Sequence, residues 1–204
     1  MDVIGRTRLG LLAMALGVAL AASPAIGQAG LTSKGDEFLT ALRESNGSKA
    51  MQLVEDSAFT LINHRGDDGS TALHIVVRSR NSSWLGFLLD NGADKDAGDK
   101  RGETPLILAA RAGYGEGVAR LLMKSAQVDK ANRLGETALI VAVQQRHSAI
   151  VSTLLKLGAD PDRRDHAAGF SARDYAKRDS RSTEMLKLIE TVKSRVSELG
   201  KPAS

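Results

Sequence analysis

The sequence has no cysteine, which excludes disulfides, thiolate metal sites, thiol nucleophiles and a lipid-modified cysteine at a processing site. Aromatic residues make up only 3% of the chain and proline occurs four times. Sheet sandwiches draw on branched and ring side chains, so this Ala-, Leu- and Gly-rich composition points instead to closely stacked helices. Neither sign of charge dominates: 28 basic and 24 acidic residues leave a formal net charge of +4, which gives little support to nucleic acid as a partner. What is present is a chain of 204 residues with 42% hydrophobic content, enough to bury a core.

The first thirty residues have the layout of a secretory leader. Arg6 and Arg8 precede the apolar run Leu9 to Ala22, followed by Ser23, Pro24 and small residues. The run is short of the roughly 20 residues needed to cross a bilayer as a helix, so a permanent anchor is not expected. Gly27-Gln28-Ala29 places small side chains where a signal peptidase needs them, which favours cleavage after Ala29; Ser23-Pro24-Ala25 is the second choice. A buried first helix of the domain is the alternative. Arg6-Thr7-Arg8 is not a twin-arginine pair, so the general secretory route, to a periplasmic or secreted destination, is expected.

Beyond the leader the chain repeats every 33 residues. Asp68-Gly69-Ser70-Thr71-Ala72-Leu73-His74, Arg101-Gly102-Glu103-Thr104-Pro105-Leu106-Ile107 and Leu134-Gly135-Glu136-Thr137-Ala138-Leu139-Ile140 fall in register. So do Leu88-Leu89, Leu121-Leu122 and Leu154-Leu155, and then Gly92-Ala93-Asp94, Ser125-Ala126-Gln127 and Gly158-Ala159-Asp160. Repetition at this period means units that cannot bury their apolar faces alone and are stabilised by stacking. The Gly turns the backbone and the Thr two places later is placed to cap a first helix. Pro105 suits the first helical position, where its missing N–H has no partner to lose. The second helix carries its apolar residues in a three-then-one rhythm, such as Leu85, Leu88 and Leu89, and Gly92 and Gly158 end it in a left-handed cap.

These residues resemble the ankyrin repeat, with its Gly-x-Thr-Pro-Leu-His start and later Gly-Ala-Asp. Thr104-Pro105-Leu106 and Thr71-Ala72-Leu73-His74 are the closest fragments, and the resemblance is clean from about 64 to 165. It implies an all-α solenoid of helix-turn-helix units with projecting β-turn fingers and a concave binding face. Only one unit keeps the Pro and one the His, and Arg80 and Arg146 stand where Gly113 lies in the middle unit. The expected division is a leader over 1–29, a degenerate N-terminal helix pair over 30–66, repeats over 67–99, 100–132 and 133–165, a C-terminal capping repeat over 166–198 and a tail over 199–204. In the last unit the start recurs at Gly169 with a spacing of 34, so one residue has been inserted, and Met185, Leu188, Ile189, Val192 and Val196 extend its outer helix.

Such an array binds through its finger tips and the inner face of its first helices. Arg78, Arg111, Gln144 and Arg178 hold equivalent places and should align in a column with three positive charges, suited to an acidic partner surface. Arg101, Arg133, Leu134 and Arg164 on the fingers complete the candidate set, and Tyr114 offers a further apolar contact. The competing view is that these are ordinary solvated or scattered surface residues. Trp84 is expected to fill packing between second helices, and His74 to hydrogen-bond between units. His64, Asp67 and Asp68, and Asp160, Asp162, Asp165 and His166, hold oxygen and imidazole donors, yet neither group has a calcium-loop or zinc-helix spacing. The expectation is therefore a monomeric, non-enzymatic protein-binding module of the cell envelope with no cofactor, no metal and no nucleic acid. A metal-dependent hydrolase using the Asp/His fingers and a weak nucleic-acid binder using the Arg column are the alternatives.

Overall fold

The computed structural model describes residues 33–179 and 183–199, with side chains through Val192, all within one compact unit, Thr32–Ser204. The leader expected over 1–29, both cleavage positions, the Val196 side chain and all but the first residue of the expected tail lie outside the described residues.

Among the described residues ten helices follow one another: α1 Lys34–Arg43, α2 Gly47–Asp56, α3 Ala72–Arg78, α4 Ser82–Asp90, α5 Pro105–Arg111, α6 Gly115–Met123, α7 Ala138–Gln144, α8 Ser148–Lys156, α9 Ala172–Arg178 and α10 Thr183–Leu199. Among the described residues the only β pairing is an isolated antiparallel bridge between Arg164 and Ser171. This is an all-α repeat solenoid. No described helix is long and apolar enough to cross a membrane.

The helices α3, α5 and α7 are seven residues each, two turns that would be marginal in isolation. In each of them every residue but the last is buried: Ala72 to Val77, Pro105 to Ala110 and Ala138 to Val143. They pack in series, α1 on α3, α3 on α5, α5 on α7 and α7 on α9, and the outer helices α4, α6, α8 and α10 form a second row. Leu85, Leu88, Val118, Leu121, Val151 and Leu154 are fully buried between the rows. At about 1.5–3 kcal/mol for each large apolar side chain removed from water, this one continuous core supplies the driving force that no single helix pair has.

Local chemistry starts the inner helices where the repeat requires. Thr104 Oγ1 accepts from the Ile107 amide at 3.2 Å and Thr137 Oγ1 from the Ile140 amide at 3.3 Å. At Thr71 the imidazole of His74 acts in addition: its Nδ1 accepts from the Thr71 amide at 3.1 Å and lies 2.8 Å from the Thr71 hydroxyl. The turn between paired helices needs a left-handed residue, supplied by Gly113 (φ 67°) but also by Arg80 (52°) and Arg146 (59°). The missing glycine costs about 1–2 kcal/mol at each arginine. Both side chains make contacts in return, Arg80 with the Ala112 carbonyl and Arg146 with Asp179 at 2.6 Å.

Both ends depart from the repeat. The pair α1–α2 lacks the Gly-Thr start; of the apolar face expected there, Phe38, Leu39, Ala41, Leu42, Ala50 and Val54 are buried and Leu53 is half-buried. The aromatics Phe38, Trp84 and Phe87 join it to α4, with ring centroids 6.2 and 5.1 Å apart. At the other end α10 spans 17 residues against nine in α8.

Candidate functional site

The fingers are built by one device used repeatedly. The Asp99 amide donates to the Glu103 carbonyl at 3.1 Å, and Asn132 to Glu136 at 3.0 Å, with a tight turn inside. The side chain at the same place locks the turn: Asp99 Oδ1 accepts from the Arg101 and Glu103 amides, and Asn132 Oδ1 from those of Leu134 and Glu136. In the fourth finger Asp165 pairs with Phe170, one residue further along, which places the inserted residue inside that loop. Its Oδ1 holds the amides of Ala168 and Gly169, while Oδ2 accepts from the Tyr175 hydroxyl at 2.6 Å. Burial opposes the charge of Asp165, but the Tyr175 hydroxyl and these amides outweigh it and keep its pKa below the usual carboxylate value.

Backbone bonds then tie finger to finger. The Lys100 amide donates to the Asp68 carbonyl at 3.0 Å, Arg133 to Arg101 at 3.0 Å and His166 to Leu134 at 2.7 Å. Gly102 and Gly135 are obligatory here, since a Cβ would lie 2.9 Å from Arg133 N in the first case and 2.7 Å from His166 N in the second. A parallel chain of side chains joins the repeats elsewhere: Asn63, Asp96 and Asp129 accept the amides of Asp94, Gln127 and Asp160.

Between the second and third fingers lies a groove of about 550 Å³, lined by Lys100, Arg101, Glu103, Arg111, Asn132, Arg133, Leu134 and Glu136. Its floor is polar and closed. Arg111 reaches Glu103 at 3.0 Å and Glu136 at 3.4 Å, and Asn132 Nδ2 donates to both carboxylates at 2.7 Å. Desolvation works against the Arg111 charge, but Glu103 and Glu136 overcome it and raise its pKa. The rim differs: Lys100, Arg101 and Arg133 are exposed without an ion pair among the described residues, and Leu134 is 55% exposed. A second recess of about 280 Å³ is lined by Val143, Gln144, Tyr175, Arg178 and Asp179.

The eight binding residues read from the sequence therefore fall into separate settings. Arg101, Arg133 and Leu134 come together at the groove. Arg78 and Arg111 align as the repeat predicts, but the column is no stripe of three free charges: Arg78 lies 3.5 Å from buried Asp99, and Arg111 holds its two glutamates. Gln144 and Arg178 share the second recess, where the Arg178 guanidinium sits 4.4 Å above the Phe170 ring. Arg164 secures its own loop through the Gly169 carbonyl and Asp174. Tyr114, read as a surface contact, is instead buried, 7% exposed, with its ring against Gly117; the glycine leaves no side chain to hold the ring out. Glu103 and Glu136 were missed, although they stand one period apart between Gly and Thr.

Several of the candidate Asp and His side chains have structural occupations, while Asp67 and His166 are exposed. His64 Nε2 meets Asp36 at 2.9 Å, Asp68 takes the amide and hydroxyl of Ser70, and Asp162 pairs with Arg173 at 2.7 Å. Among the described residues no group of three acidic or histidine side chains is placed to hold a metal ion. His74 is fully buried and its Nε2 reaches the Glu103 carbonyl of the next unit at 2.8 Å. With Nε2–H donating there and Nδ1 accepting at Thr71, the ring is satisfied as the neutral tautomer, and burial pulls its pKa below the ordinary histidine value.

Comparison with known proteins agrees with this architecture. A family model described as Ankyrin repeats (3 copies) matches residues 38–132 and 85–165, together more than half of the chain. No curated protein matches the sequence. Ankyrin repeats generally mediate protein–protein interaction and are typically non-enzymatic. The repeated Gly-Thr starts, the paired helices and the laddered fingers have their explanation in common: the chain belongs to the ankyrin-repeat family.

Proposed function

We propose that this protein is an exported, monomeric binding module that holds a partner protein against its fingers and the adjoining face of α3, α5, α7 and α9, without catalysis. The observation that carries the reading is the groove between the second and third fingers: Lys100, Arg101 and Arg133, without ion pairs among the described residues, and half-exposed Leu134 stand on turns locked by Asp99 and Asn132. A surface fixed in advance by backbone bonds loses little further freedom on binding, which favours affinity. His64, Asp68, Asp162 and Asp165 are engaged in turns and ion pairs, and the rim offers cations to an acidic partner surface. Export rests on the basic start, apolar run and small-residue end of residues 1–29.

Site-specific photo-crosslinking in envelope extracts tests the binding face. A crosslinker in place of Leu134 or Gln144 should give covalent adducts with a protein, while one in place of Met123, on outer helix α6, should give none. Adducts from Met123 alone would refute the assignment. Fusing the leader to a reporter active only outside the cytoplasm tests the compartment, and a silent reporter would move the protein inside the cell.

A further inference from the structure

The finger tips carry an ordered code of charge, and the backbone ladder fixes its order. At one tip position the successive repeats place Asp67, Lys100, Arg133 and His166; at the next they place Asp68, Arg101, Leu134 and Ala167, and all eight residues are exposed. Because Lys100, Arg133 and His166 each donate a backbone hydrogen bond to the preceding finger, at Asp68, Arg101 and Leu134, the two rows cannot shuffle. Along the row the tips are acidic at the first finger, basic at the second, basic with apolar Leu134 beside it at the third, and carry His166 next to Ala167 at the fourth.

We propose that the occupant of this row is an extended polypeptide segment that presents, in order, a basic side chain, a run of carboxylates and an aliphatic side chain. The inference rests on the binding function above and specifies its ligand. Carboxylates meet Lys100, Arg101 and Arg133, whose charges nothing else in the described structure neutralises, and the aliphatic group covers Leu134. The glutamates below do not compete, since Glu103 and Glu136 are turned to Arg111 and Asn132. A nucleic acid fits poorly, because its evenly spaced phosphates would lie against Asp67 and Asp68 and would leave Leu134 without an apolar contact. Neighbouring helix layers sit roughly 8–10 Å apart and an extended chain advances about 3.3–3.6 Å per residue, so about three residues bridge adjacent fingers and about nine cross the three gaps between all four.

Selection of a random peptide display library of that length on the immobilised full chain is the test. Enriched peptides should carry the basic, acidic and aliphatic blocks in the stated order. Their affinity should fall by about tenfold or more, equivalent to about 1.4 kcal/mol, on combining Lys100→Glu, Arg101→Glu and Arg133→Glu, and for peptides of the same composition with the blocks permuted. Leu134→Ser should weaken binding of the same peptides; circular dichroism of both variants establishes that they remain helical. No enrichment, equal binding of permuted peptides, the same sequences selected by the charge-reversed variant, or preference for a single-stranded oligonucleotide would each overturn the inference. Failure of the order rule while Leu134 and Gln144 still crosslink to a protein removes this ligand and leaves the binding function; absence of those adducts removes the function itself.

Discussion

At the scale of single residues, two buried polar side chains join one repeat to the next and set testable limits. His74 satisfies the Thr71 amide and the Glu103 carbonyl at once, so His74→Ala should cost about 2–4 kcal/mol, read by urea denaturation. Its pKa is lowered in the fold by burial, whereas in the unfolded chain the ring titrates near 6.5 or about that value. Below that pH the unfolded state binds the extra proton, so the ring's contribution is complete above it and is lost as pH falls toward the depressed folded value. His74→Gln should therefore flatten the loss of stability between about pH 7 and about pH 5; an unchanged slope would show that the ring does not titrate with folding. Asn132 is the second case, since its amide donates to both Glu103 and Glu136. Asn132→Asp removes both donors and adds a third carboxylate beside one guanidinium, a loss of about 2–4 kcal/mol at neutral pH. Crowded carboxylates hold protons more tightly in the folded state, so the deficit should shrink as pH falls, measurable as a narrowing gap in Tm against the parent protein.

At the scale of elements, the glycines separate two causes of the same backbone requirement. Gly92 and Gly102 both have positive φ, 81° and 76°, but a Cβ at 92 meets nothing within 4 Å whereas at 102 it would lie 2.9 Å from Arg133 N. Gly92→Ala should cost only the left-handed backbone penalty of about 1–2 kcal/mol, and Gly102→Ala at least about 1 kcal/mol more, because it also presses on the finger ladder. Equal losses in thermal unfolding would contradict the ladder's role. The helices themselves were legible because their signals are local and periodic: the Thr cap, the two-turn apolar stretch and the Leu-Leu of the outer helix recur every 33 residues. The one-residue insertion was legible too, and the structure locates it between Asp165 and Phe170. What could not be read was pairing across space. Arg78 and Arg111 look like free surface cations in a sequence, since nothing local reveals that Asp99 and Glu103 fold beneath them. Tyr114 reads as a further apolar contact because it stands at a turn, while its burial depends on Gly117 making room.

At the scale of the whole molecule, each unit depends on its neighbours for both core and finger geometry, so the binding face is a product of the stack and of no single repeat. The inner helices bury nearly every residue, which leaves their last positions and the fingers as the surface on that side. A ligand can therefore be recognised by residues distributed over several repeats with little rearrangement. Recognition through that surface should protect backbone amides there while leaving the outer row untouched. Hydrogen–deuterium exchange on the captured complex against the free protein measures this directly. The account predicts slowed exchange in the fingers around Asp99–Glu103 and Asn132–Glu136 with α4, α6 and α8 unchanged; slowed exchange confined to α4, α6 and α8 would contradict it.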